Sequence, residues 1–157
     1  MAEREAGEQA TGDRAEDARL GILSAGKSFQ DVMQALAGLN LNEDRQKEFG
    51  IRIGKAGMIW PLDPEFIREF AAGLDTIIVV EEKRGILEDQ LKGILYDLAL
   101  PNRPRVVGKY DNAQAFAPER GEVVLQGWGE LSSASIGRVI VEQLRKLHPN
   151  LSNVLPL

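Results

Sequence analysis

The chain has 157 residues, 43% of them hydrophobic and 27% charged, which suits one globular domain with a proper core and rules out a large multidomain enzyme. Acids outnumber bases 24 to 19, and a net charge of −5 gives no electrostatic footprint for nucleic-acid partners. Zero cysteines exclude disulfides, thiolate zinc, iron–sulfur ligation and a cysteine nucleophile, and a single histidine, His148, removes most other metal and acid–base designs.

In chain order, residues 1–19 come first, with six acids against three arginines, and they carry −3 of the −5. Alanine, glutamate and charges all round leave no apolar stripe, so a disordered acidic tail is expected there. It lacks the apolar stretch of a signal peptide, and no run in the chain approaches the roughly 20 apolar residues of a membrane span. Together with the absence of disulfides, this predicts a cytoplasmic protein without a membrane partner.

From Leu20 the pattern changes. Leu20-Gly-Ile-Leu23 reads as a strand, Ser24-Ala-Gly26 as a turn, and Phe29, Val32, Met33, Leu36 and Ala37 recur at helical spacing. A short helix is expected over Asn42–Phe49, then a strand weakened by glycines over Ile51–Ile59, where a bulge or a close backbone approach should occur. Asp63 is the expected N-cap of the next helix, with Pro64 at its first position and an end near Gly73. Thr76-Ile-Ile-Val-Val80 is a β-branched run of the kind found in a parallel strand covered on both faces, and should be central. A charged turn, Glu81–Gly85, leads to a helix marked by Leu87, Leu91, Ile94, Leu95 and Leu98. Pro101 and Pro104 bracket a loop, Arg105–Gly108 is a short strand, and Lys109–Gly129 suggests a small hairpin around Val123–Leu125. A last helix starts at about Ser133 and ends at His148-Pro149, leaving residues 149–157 as a C-terminal tail.

Strand–helix alternation repeated about four times predicts an α/β fold, a mostly parallel sheet between two helical layers spanning residues 20–148. Functional groups then gather at the strands' carboxyl ends. This nominates Ser24, Gly26, Lys27 and Ser28 after the first strand, Trp60, Pro61 and Leu62 after the second, and Glu81, Glu82, Lys83 and Arg84 after the third. Those residues are candidates for an interface, and Ser24–Ser28 at a helix start for weak anion binding.

Gly21–Ser28 also satisfies the phosphate-loop pattern G-x-x-x-x-G-K-S, which makes a small ATPase the alternative reading. That motif needs a strand ahead of its first glycine, whereas the residues before Gly21 are polar and Ile22 and Leu23 are the strand-like ones. Glu81 and Glu82 are neighbours and point to opposite faces, so a solvated or interface charge cluster is expected rather than a catalytic pair. His148 reads as a helix terminator, and Trp60 and Trp128 as packing or interface anchors.

Six ordered blocks carry a resemblance. Leu20–Ser28, Gly57–Glu65 (GMIWPLDPE), Ile78–Arg84 (IVVEEKR), Leu87–Lys92 (LEDQLK), Arg103–Lys109 (RPRVVGK) and Gly129–Ser132 (GELS) together resemble the indolepyruvate:ferredoxin oxidoreductases, which are thiamine-diphosphate-dependent 2-oxoacid:ferredoxin oxidoreductases. The matching part is their transketolase C-terminal-like domain, a three-layer α/β/α sandwich. The resemblance implies an enzyme that oxidatively decarboxylates aryl 2-oxoacids to acyl-CoA and reduces ferredoxin, using thiamine diphosphate, magnesium and iron–sulfur clusters. It carries no catalytic, cofactor or metal residue onto this chain. The expectation is therefore a non-catalytic assembly domain or fragment that binds no cofactor alone and packs against thiamine-binding and iron–sulfur domains or subunits. Gly85, where the family usually has proline, the segment Gly121–Trp128 and the acidic tail depart from the family pattern.

Overall fold

The computed structural model describes residues 18–110, 123–127 and 129–151. Four strands form one sheet: β1 (Leu20–Ser24), β2 (Ile51–Lys55), β3 (Thr76–Val80) and β4 (Arg105–Val107), in the order β2-β1-β3-β4. All three pairings are parallel, with Ile22 opposite both Ile53 and Ile78, and Ile78 opposite Val107. Every residue of β1 and β3 is buried, as expected for predominantly apolar strands at the middle of a sheet covered on both faces.

Alternation along these central strands divides the core in two. Ile22, Ile78 and Val80 face one layer, where they meet Val32 and Leu36 of α1 (Gly26–Gly38) and Ile136, Ile140 and Leu144 of α5 (Ser133–Leu147). Leu23, Ile77 and Val79 face the other, against Ile67 and Phe70 of α3 (Pro64–Ala71) and Leu87, Leu91 and Leu95 of α4 (Ile86–Tyr96). Helix, sheet and helix make three layers. The short α2 (Glu43–Glu48) precedes β2 and buries no residue of its own.

Sequence-readable caps hold three of these helices. Asp63 accepts from the amides of Glu65 (2.8 Å) and Phe66 (3.4 Å), with Pro64 in the first turn; Asn42 accepts from Arg45 and Ser132 from Ser135. The close approach expected in the second strand is real. A β-carbon at Gly54 would lie 2.7 Å from the Phe70 ring, and one at Gly21 would lie 3.1 Å from it and 2.6 Å from Leu74. The two glycines form a trough in which Phe70 lies.

Several boundaries differ from the sequence reading. β2 ends at Lys55 rather than at Ile59: one more amide, Ala56, bonds to the Ser24 carbonyl before the chain leaves the sheet. Ala18 and Arg19, assigned to the tail, belong to the folded body. Ala18 is buried, the Arg19 amide donates to the Gly50 carbonyl, and its carbonyl accepts from Asp75 and Thr76. The rest of that tail lies outside the described residues. At the hairpin expected around Val123–Leu125, the described residues show an antiparallel bridge from Tyr110 to Val123, and the Val124 amide donates to the Lys109 carbonyl. Residues 111–122, Trp128 and 152–157 are likewise outside the description, and Pro149–Leu151 form a 3₁₀ turn after α5. Among the described residues no helix is long and apolar enough to cross a membrane.

Candidate functional site

The strand order reverses beside β1: β2 adds on one side of it, β3 and β4 on the other. Connections leave the two central strands toward opposite layers, and a crevice opens at their carboxyl ends. A cleft of about 750 Å³ lies there, lined by Ala25 and Ser28 after β1, Ile59 after β2, Val80–Arg84 after β3, Ile86 and Leu87 at the start of α4, and Gly127 and Gly129. The fold thus brings together Ser28, Glu81, Glu82, Lys83 and Arg84. Trp60 and Pro61, joined by a cis peptide bond, sit exposed beside Ile59.

Three nominated residues are buried, Ser28 among them at 7% exposed on the cleft wall. Ser24 is fully buried at the end of β1 and Leu62 is 4% exposed beneath its loop, so neither offers a side chain to a partner. Gly26 and Lys27 are exposed, and Gly26 adopts a φ of +53°, a left-handed conformation that suits glycine as the chain turns from strand to helix. Nothing in the same geometry favours the phosphate-loop reading. Gly21 lies inside β1, packed against Phe70 and Leu74, and only Ala25 separates β1 from α1, so no loop is left to wrap a phosphate.

The expected solvated charge cluster is only half right. Glu81 and Glu82 do diverge to opposite layers. Glu82 pairs with Lys27 of α1 at 2.9 Å, and this partner holds the exposed ammonium above its usual pKa. Glu81 turns the other way, and its carboxylate accepts from the amides of Leu87 (2.7 Å) and Glu88 (3.1 Å). It caps α4, whose own N-cap residue, Gly85, has no side chain to do so. Burial pushes the Glu81 carboxyl above the usual range; the two amides and Lys109 pull it back, and Glu88 adds to the rise.

Beneath Glu81 lies a polar knot that sequence reasoning missed. Glu88, 5% exposed, bonds Lys92 Nζ at 2.6 Å and accepts from the Lys109 amide at 3.0 Å. Lys109 Nζ donates to the Glu81 carbonyl and to the Gln126 carbonyl, 3.3 Å away. Burial lowers the Lys109 pKa against the opposing pull of Glu81, Glu88 and Glu82. A β-carbon at Gly108 would sit 2.1 Å from Glu88 Oε2, so only glycine lets the carboxylate reach the next amide. One signal was in the sequence: Glu88 stands within the apolar stripe Leu87, Leu91, Leu95, where an acid must be buried and partnered.

A second device is Gln90. Its Nε2 donates to the carbonyls of Ile59 (2.8 Å) and Ile86 (3.0 Å), and its Oε1 accepts from the Leu62 amide (2.8 Å). It ties the loop after β2 to the start of α4. At the far pole His148 ends α5 as expected, with Nε2 3.2 Å from the Phe49 carbonyl.

The chain has no cysteine for an iron–sulfur cluster, and the described residues hold no group of three or more His, Cys, Asp or Glu placed to take a metal.

A three-layer α/β/α sandwich with a four-stranded parallel sheet is the architecture of the transketolase C-terminal-like domains. Among solved structures, part of a split-gene transketolase, an inactive beta4 tetramer, superposes with a TM-score of 0.53 at 17% identity, over 82% of this chain and 39% of that one; at this identity the likeness is one of fold. The profile of the indolepyruvate ferredoxin oxidoreductase middle domain matches residues 11–155, and the chain belongs to that family. Curated relatives include the indolepyruvate oxidoreductase subunit IorA of Thermococcus kodakarensis, 33% identical over 85 residues, and that of Pyrococcus horikoshii, 32% over 82. The matches cover 54% and 52% of this chain, and 12% of either relative's length.

Proposed function

We propose that the chain is a non-catalytic assembly domain of an indolepyruvate:ferredoxin oxidoreductase, and that it works in the cytoplasm by packing against the thiamine-diphosphate domains of the same enzyme. Thiamine diphosphate, magnesium and the iron–sulfur clusters are held by that remainder, which oxidises the aryl 2-oxoacid and passes electrons to ferredoxin; this chain binds none of them alone. The observation that carries the reading is how the charged groups beside the cleft are used. Glu81 caps α4, Glu88 holds the Lys109 amide, and Lys109 holds two carbonyls. Each is committed to shaping the backbone at the sheet's carboxyl end, in a chain of the middle-domain family.

The test is an assay of indolepyruvate- and CoA-dependent viologen reduction. The purified chain is expected to be inactive, and to restore turnover when combined with the thiamine-binding remainder from which this domain has been removed. Turnover by the chain alone would refute the assignment.

A further inference from the structure

Four of the large apolar side chains that the described residues expose lie together rather than scattered: Met58 (60% exposed), Ile59 (49%), Trp60 (71%) and Ile86 (44%). The first three are consecutive, and Ile59 and Ile86 both line the cleft. Gln90 clamps the two segments through the carbonyls of Ile59 and Ile86 and the amide of Leu62, and Leu62 anchors the loop from below. The backbone is therefore fixed with its apolar side chains held outward. A pinned, contiguous apolar ledge marks a protein interaction site, which single exposed apolar residues do not.

Charge narrows the occupant. Of the four charged residues lining the cleft, Glu82 is paired with Lys27 and Glu81 is bound to α4 amides. Lys83 and Arg84 are exposed, and neither has an ion pair among the described residues. In a chain of net charge −5, Lys83 and Arg84 stand as exposed cations at the flank of this ledge. A second copy docked ledge to ledge about a two-fold axis would bring Lys83 and Arg84 toward their own equivalents. An acidic partner would not meet that repulsion. The matched segment amounts to 12% of the length of its IorA relatives, so most of such an enzyme lies outside this chain.

We infer that Met58, Ile59, Trp60 and Ile86, flanked by Lys83 and Arg84, form the face on which the thiamine-binding remainder of the same enzyme docks, through an apolar patch bordered by carboxylates. This deepens the proposed function and rests on it.

The full chain is co-expressed with the thiamine-binding polypeptide of the same enzyme, with a photoreactive p-benzoylphenylalanine in place of Trp60 or, as a control, of Tyr96, which is 71% exposed on α4. Cross-linked peptides are identified by mass spectrometry. The expected result is cross-linking from position 60, and not from 96, to an apolar stretch next to Asp or Glu in the partner. Trp60→Ala should weaken the complex about 30-fold, as an aromatic anchor at an interface does. The Lys83→Glu/Arg84→Glu pair should weaken it about tenfold, with a shallower salt dependence. Trp60 is exposed, so an unchanged circular dichroism spectrum shows that the variant is folded. Chain-to-chain cross-links from position 60, or a complex that still forms but cross-links only from 96, would overturn the docking face and leave the proposed function standing. Failure of the two polypeptides to associate at all would overturn both.

Discussion

At the carboxyl end of the sheet, two adjoining regions treat polarity in opposite ways. After β3 the chain buries charge: Glu88 is 5% exposed, and Glu81 and Lys109 are half-buried in its neighbourhood. After β2 it exposes apolar surface, with Trp60 71% and Met58 60% exposed. The charges of Glu81, Glu88 and Lys109 are spent on backbone amides and carbonyls, so these three groups are satisfied within the chain. The ledge, pinned but uncovered, is not. The contrast separates residues that build the pole from residues that something else must cover.

Breaking the buried half should have the largest effect. Glu88→Ala removes the buried acceptor of the Lys109 amide and the carboxylate of the ion pair with Lys92, and a loss of about 3 kcal/mol is expected in urea unfolding. If Glu88 were only a surface charge, the variant would unfold within about 0.5 kcal/mol of the parent. Gly108→Ala attacks the same contact sterically and should cost about 2 kcal/mol. Combined with Glu88→Ala it should cost less than the sum of the two, because the group it clashes with is gone. Gly54→Ala, which forces Phe70 out of its trough, should cost about 1–2 kcal/mol and leave the carboxyl pole intact.

A smaller effect sharpens the comparison through pH. Burial raises the Glu81 carboxyl above its ordinary value of 4.5, so over the window between the two values the folded chain keeps a proton that the unfolded chain has released. Stability therefore falls as pH rises through that window, and the loss is complete above the raised value. Lys109 acts in the opposite sense: its lowered pKa makes stability rise with pH from the lowered value toward 10.5. Glu81→Gln should flatten the acid-side fall in unfolding free energy measured against pH and leave the alkaline rise in place; an unchanged acid-side slope would remove Glu81 from the account. Least of all, Lys27→Ala removes an exposed pair and should leave the unfolding midpoint unchanged. Calorimetry should detect no Mg–ATP binding by either form, since the residues of the written motif lie in strand and helix.

Much of the fold was legible along the chain. The run Thr76–Val80, the Asp63-Pro64 cap, the helical spacing of α1 and α5 and the stop at His148 are local signals, and local physics settles them: periodicity decides the face, and a capping side chain decides the boundary. The candidate site was legible only as a place. Parallel topology sent the loops after β1, β2 and β3 to one end, but not the side chains within them. Ser24 and Leu62 turned inward, and Glu81, which looked solvated, became the cap of a helix starting five residues later.

What the sequence determined by itself was the layered α/β class, the order of the elements and the family, because these rest on periodicity, on caps and on blocks of residues in fixed order. What the tertiary structure decided was which charges are buried and which apolar residues stay outside. Glu88 meets the Lys109 amide across 21 positions and Gln90 reaches the Ile59 carbonyl across 31. No pattern along a chain encodes such contacts; they exist only once β4 and the loop after β2 have been brought beside α4.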